Sequence, residues 1–139
     1  MKKILIALIT TICLGFGANA QSLVAEIGWT DVENTYYQGV LVMYPNNQGT
    51  LYVWFYNPMV GNVAVAQSAV MSFDYDGTAY VNCGNPSTNP YVPYAADNFI
   101  FFNDGSVFTQ DYSGKYTTNV VYRVVPSNEW HSVFAKYGL

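Results

Sequence analysis

At 139 residues the chain is long enough for one domain; 51% of it is hydrophobic and only 10% charged. All nine acidic residues lie after residue 20, where only Lys115, Arg123 and Lys136 oppose them, so that part carries a net charge of −6. This balance excludes the basic footprint that nucleic acid demands, and it excludes electrostatic docking to anionic lipid.

The N-terminus reads as an export signal. Lys2 and Lys3 form a positive start, Ile4 to Gly17 is uncharged and apolar, and Ala18-Asn19-Ala20 supplies small residues at −3 and −1. The apolar stretch is shorter than the ~20 residues of a membrane-spanning helix. Cys13 lacks the small residue before it that lipidation requires, since Thr10-Thr11-Ile12 precede it. Residues 1–20 are therefore expected to be removed. Residues 21–139 form a single β-rich domain, placed in the periplasm or outside a bacterial cell.

Tyr, Val, Phe and Thr dominate the remaining chain, and such side chains suit a pleated, half-buried surface. Leu23 to Ile27 is the expected first strand. Val40 to Tyr44 and Thr50 to Tyr56 form a hairpin about Pro45-Asn46-Asn47-Gln48-Gly49. Asn62 to Ala69 extends a strand that ends at Tyr75, where Met71, Phe73 and Tyr75 share a face. Asp76-Gly77 and Asp104-Gly105 read as two-residue hairpin turns. Such turns place Phe73 opposite Tyr80, Tyr75 opposite Thr78, Phe102 opposite Val107 and Phe101 opposite Phe108. Val120 to Val125 is a late strand, which Pro126 stops.

The C-terminus is a predicted helix. Trp130, Val133, Phe134 and Tyr137 fall at i, i+3, i+4 and i+7, with Ser127 or Asn128 as cap and Gly138 as stop. Gly84 to Asp97, with Pro86, Pro90 and Pro93, is the one long irregular stretch. The whole is an all-β antiparallel meander of about eight strands, closed as a barrel or folded as a sandwich, with one short C-terminal helix. That architecture is similar to the lipocalins, although the lipocalin glycine-any-tryptophan signature is absent: Gly28 and Trp29 are adjacent.

Leu51 to Tyr56 carries the main candidate site. Period two places Leu51, Val53 and Phe55 on one face and Tyr52, Trp54 and Tyr56 on the other. The second face is a ladder of aromatics with polar tips, suited to stacking on sugar rings or to lining an apolar cavity. Burial under the C-terminal helix is the competing expectation, and the favoured one, because aromatics are more often core than site. Tyr91 and Tyr94, with Tyr36 and Tyr37, are candidates for an aromatic rim on loops, although the favoured expectation is that they fold the loop back onto the sheet.

Catalytic and metal signals are weak. Asp74-Tyr75-Asp76-Gly77 resembles the start of a calcium loop but lacks the later ligands and closing Glu. Cys83 is the one cysteine left after export and is expected to be buried; nothing in the sequence joins it to His131, the sole histidine. Asp31 and Glu33 would suit a glycosidase only at the right spatial separation. No catalytic residue, metal or cofactor is assigned. The favoured reading is a non-catalytic module that binds a glycan or small apolar molecule. The alternatives are a small outer-membrane β-barrel, whose strands should run about 9–11 residues, and a carboxylate-dependent hydrolase.

Overall fold

The computed structural model describes residues 23–31, 34–84, 98–110, 116–117 and 120–139. The expected signal segment, Glu33, Tyr91 and Tyr94 lie outside the described residues. The strands are β1 (Leu23–Thr30), β2 (Tyr36–Met43), β3 (Gln48–Asn57), β4 (Gly61–Phe73), β5 (Ala79–Cys83), β6 (Asn98–Phe101), β7 (Val107–Gln110), β8 (Tyr116–Thr117) and β9 (Val120–Val124). They form one sheet in the order β8-β7-β6-β5-β4-β3-β2-β1-β9, with every pairing antiparallel. Alternating direction from β1 makes β8 and β9 run the same way. They lie close in sequence, one pairing with β7 and the other with β1, and together they fill the place of an eighth strand. The two edges of the meander therefore meet in a nearly closed barrel rather than a sandwich.

Period-two alternation fills the interior. Leu23, Ala25, Ile27 and Trp29 of β1 point inward and are at most 1% exposed. Trp29 stacks on Tyr37 at 5.3 Å and meets Phe99 edge-to-face at 5.0 Å. Gly39 makes room for this cluster, because a Cβ there would lie 3.0 Å from Trp29 Cζ3 and 3.2 Å from Leu51 Cδ1. Phe101 of β6 and Tyr122 of β9 touch edge-to-face at 5.4 Å, a contact that ties the late strands across the closure. Large side chains thus occupy the barrel axis, where a lipocalin-like ligand would sit.

Both Asp-Gly hairpins differ from expectation by one residue of register. Phe73 pairs with Ala79, and Phe101 with Val107. Only the glycines take positive φ, 89° at Gly77 and 95° at Gly105, whereas a two-residue turn of the expected type needs two such residues. Each loop is instead three residues long and closed by its aspartate. Asp76 Oδ1 accepts the Thr78 N–H and Asp104 Oδ1 accepts the Ser106 N–H, both at 2.9 Å. The β2–β3 loop follows the same plan, with Asn47 at φ 61° and Asn46 Oδ1 accepting from Gln48 at 3.1 Å. One consequence is that Tyr75 sits fully exposed at a hairpin tip instead of on the core face.

The C-terminal helix packs outside the barrel. A 3-10 turn, Ser127–Glu129, leads into α1 (Trp130–Tyr137). The expected side-chain cap at Ser127 or Asn128 is absent, and the Glu129 N–H bonds to the Pro126 carbonyl instead. Gly138 ends the helix at φ 71°, where the left-handed conformation costs glycine little. The apolar stripe of α1 covers Val24, Val40 and Val42 on the outer faces of β1 and β2 and forms a second, smaller core with Tyr52 and Trp54 of β3.

Candidate functional site

The three rungs of the aromatic ladder have three different surroundings. Tyr52 lies in the seam beneath α1. Trp54 is half-buried, with its ring stacked on Tyr137 at 4.9 Å, and it also lines an open cleft beyond the end of the helix. Tyr56 is 61% exposed in that cleft. The cleft holds about 840 Å³ and lies on the outer face, between the β1–β2 turn and the β3–β4 hairpin. Tyr36, Asn34 and Asn62 line it as well.

The strand register builds this surface. The last β2–β3 pair is Tyr37 with Phe55, so Tyr36 falls beside Tyr56 one step further along. Tyr56 pairs in turn with Asn62 of β4, and Trp54 pairs with Ala64. Neighbouring strands are about 4.8 Å apart and alternate residues about 7 Å apart along a strand, which sets the spacing of the three backbone positions. Tyr36 leans across β1 over Gly28. A Cβ at Gly28 would lie within 3.3 Å of Tyr36 Cζ and closer still to its hydroxyl oxygen. The Tyr36 hydroxyl donates to Gln38 Oε1 at 2.9 Å. Glycine beneath the ring and glutamine at its tip thus hold Tyr36 against the sheet, 58% exposed.

Asp31 shapes the adjoining turn. Its Oδ1 accepts the Thr35 N–H at 2.9 Å and its Oδ2 accepts the Tyr37 hydroxyl at 2.8 Å. Asn34 takes φ 63°, a conformation asparagine tolerates better than most residues. Tyr37, a candidate for the rim, points into the barrel against Trp29, as the favoured expectation of packing had it. The candidate loop rim therefore divides: Tyr36 reaches the cleft, Tyr37 joins the core, and Tyr91 and Tyr94 lie outside the described residues.

The remaining sequence candidates do not converge. Cys83 is half-buried and packs against the barrel interior, so its expected full burial is corrected to partial. It lies at the end of β5. His131 is exposed on the outer side of α1. Asp74 Oδ2 accepts the Tyr80 hydroxyl at 2.7 Å, and Asp76 closes its hairpin, so both aspartates serve the turn. Inside the barrel, the Tyr122 hydroxyl is buried with no hydrogen-bond partner among the described residues, and burial raises its pKa.

Sequence reasoning did not foresee a strongly shifted carboxylate, Glu26. Glu26 projects from the outer face of β1 under α1. Its Oε2 accepts the Tyr137 hydroxyl at 2.7 Å and pairs with Lys136 Nζ at 3.2 Å, while its Oε1 pairs with Arg123 at 2.8 Å. Burial works to raise its pKa, but the hydrogen bonds from Tyr137, Arg123 and Lys136, with the Lys136 charge, outweigh it and lower the value to about 2. The cluster ties α1 to the barrel, since two of the three donors belong to the helix. The one signal available in the sequence was an acidic residue inside an otherwise apolar strand.

Comparison with models of known protein families, with curated proteins and with solved structures gave no match.

Proposed function

We propose that this protein is an exported, non-catalytic binding module whose ligand lies in the outer-face cleft, against Tyr36, Trp54 and Tyr56. One observation carries the reading. Three aromatic side chains with two half-exposed or more converge on an open cleft, between uncharged hydrogen-bonding groups and without an assembled acid, base or nucleophile among the described residues. Exposed aromatic rings grouped on one surface, unlike scattered single ones, mark an interaction site. The −6 charge after residue 20 favours a neutral or cationic ligand over an anionic one.

The outer-membrane alternative is weaker. A lipid-facing strand needs an apolar outward row. The 13 residues of β4 instead present Asn62, Ala64, Ala66, Ser68, Val70 and Ser72 outward, all exposed. The hydrolase alternative would need a second carboxylate placed opposite a first across a cleft, and among the described residues no carboxylate lines this one.

Tyr56→Ala tests the proposal, because Tyr56 is mostly exposed and its removal leaves both cores intact. Ligand affinity should fall by about tenfold or more, while thermal stability stays within about 0.5 kcal/mol of the parent. Titration followed by tryptophan fluorescence reads both the binding and, on heating, the melt. Undiminished binding in the variant would remove the cleft from consideration.

A further inference from the structure

We infer that the cleft recognises an uncharged saccharide, with Tyr36 and Tyr56 as the stacking platforms; this rests on the cleft being the binding site. The lining is specific in what it contains. Among the described residues, none that lines it carries a formal charge: Asn34, Thr35 and Asn62 are its polar groups besides the aromatics. A fatty or purely apolar ligand would leave the amides of Asn34 and Asn62 and the hydroxyl of Thr35 facing hydrocarbon without partners. Neither Asn34 nor Asn62 uses its side-chain amide in a hydrogen bond among the described residues, so both are available to hydroxyl groups that donate and accept. A pyranose ring has the matching pair of properties: an apolar C–H face and an uncharged hydroxyl edge.

The ring placement supports the same class. Tyr36 lies over Gly28, with its hydroxyl fixed by Gln38, so one face of the ring is turned to solvent and stays 58% exposed. Tyr56 occupies the neighbouring outward position on β3, about 5 Å away at the backbone, and Trp54 lies one outward position along β3. This surface spans roughly one to two sugar rings, and the cleft of about 840 Å³ has room for more. An open cleft with side-on platforms suits a chain that enters and leaves along its length.

Gly28→Ala isolates the platform. The three atoms nearest the added methyl all belong to Tyr36, with its hydroxyl, the far end of a flexible side chain, closest, so the ring must lift while every side chain lining the cleft is kept. The test uses cellohexaose and mannohexaose as neutral probes, hexagalacturonate as a charged saccharide and N-phenyl-1-naphthylamine as an apolar probe. Parent, Gly28→Ala and Tyr56→Ala proteins are titrated with each and melted separately. At least one neutral hexasaccharide should bind, about tenfold more weakly to each variant, with melting temperatures near the parent's. Binding of the naphthylamine alone, lost in Tyr56→Ala, would overturn the saccharide class and leave the cleft as a ligand site. Equal or tighter binding of hexagalacturonate would overturn the preference for an uncharged sugar. Saccharide binding unchanged in both variants, or no binding of any probe, would overturn both the inference and the reading beneath it.

Discussion

Replacing Trp54 by alanine should cost the protein about 2–3 kcal/mol, or a melting temperature lowered by roughly 10 °C. The ring is half-buried, so the loss falls short of the ~3–5 kcal/mol of a fully enclosed tryptophan. Most of it comes from the stack on Tyr137 and from the apolar seam that joins Tyr52, Val40 and α1. The same substitution should also weaken ligand binding, because another part of the ring lines the cleft. Chemical denaturation of Trp54→Ala, Tyr137→Ala and the double variant separates the two roles. A coupling of about 0.5–1.5 kcal/mol between the substitutions is expected from the stacked pair. Additive losses, or a Trp54→Ala protein as stable as the parent, would show that α1 does not depend on this ring.

The second large effect belongs to Glu26. Its folded pKa, near 2, lies below the ordinary value of 4.5, so the carboxylate stabilises the fold wherever it is ionised in both states. That stability is fully present above about pH 5 and is lost as pH falls through the folded value, near 2. Arg123 and Lys136 are 49% and 63% exposed, and water screens them; the contribution is about 1–2 kcal/mol rather than the full linkage value. Glu26→Gln should therefore be less stable than the parent by about that amount at pH 7. The gap should close as both proteins are taken toward pH 2. Urea melts from pH 7 to pH 2 read this directly. A gap that stays constant with pH would mean that the glutamate acts by shape and not by charge. Hydrogen exchange should show the loss first in α1, since the helix contributes two of the three groups bonded to Glu26.

The barrel was legible in the sequence because side chains alternate cleanly in Leu51 to Tyr56 and because the C-terminal stripe of Trp130, Val133, Phe134 and Tyr137 has helical spacing. Register was not. Asp-Gly occurs in both two- and three-residue hairpin loops, and the choice here turns on whether the aspartate also takes positive φ; with its carboxylate bonded to the N–H two residues on, it does not. The start of β2 was obscured by Gln38 and Gly39, which interrupt an apolar run. Gly39 is where Trp29 crosses, so the residue that looks like a break is a packing requirement. Reading the strand from Val40 left Tyr36 and Tyr37 as loop residues and hid the placement of Tyr36 beside Tyr56, one step beyond the last β2–β3 pair.

The ladder itself was visible, but not its division. Which rungs the helix covers depends on how far an eight-residue helix reaches along β3, and on Glu26, Lys136 and Tyr137 meeting across more than a hundred residues of chain. Tyr52 is covered, Trp54 is shared and Tyr56 is left out. The expectation of burial and the expectation of a ligand surface each describe part of one strand.

Mapping amide and indole shifts of the ¹⁵N-labelled protein during titration with cellohexaose, and separately with N-phenyl-1-naphthylamine, tests the binding cleft most directly. The account predicts shifts concentrated at Asn34, Thr35, Tyr36, Tyr56, Asn62 and the Trp54 indole, with the Tyr75–Gly77 and Asn103–Gly105 loops at the other end of the barrel unmoved. Shifts centred on those loops or on the barrel interior, or no shift with either probe, would contradict it.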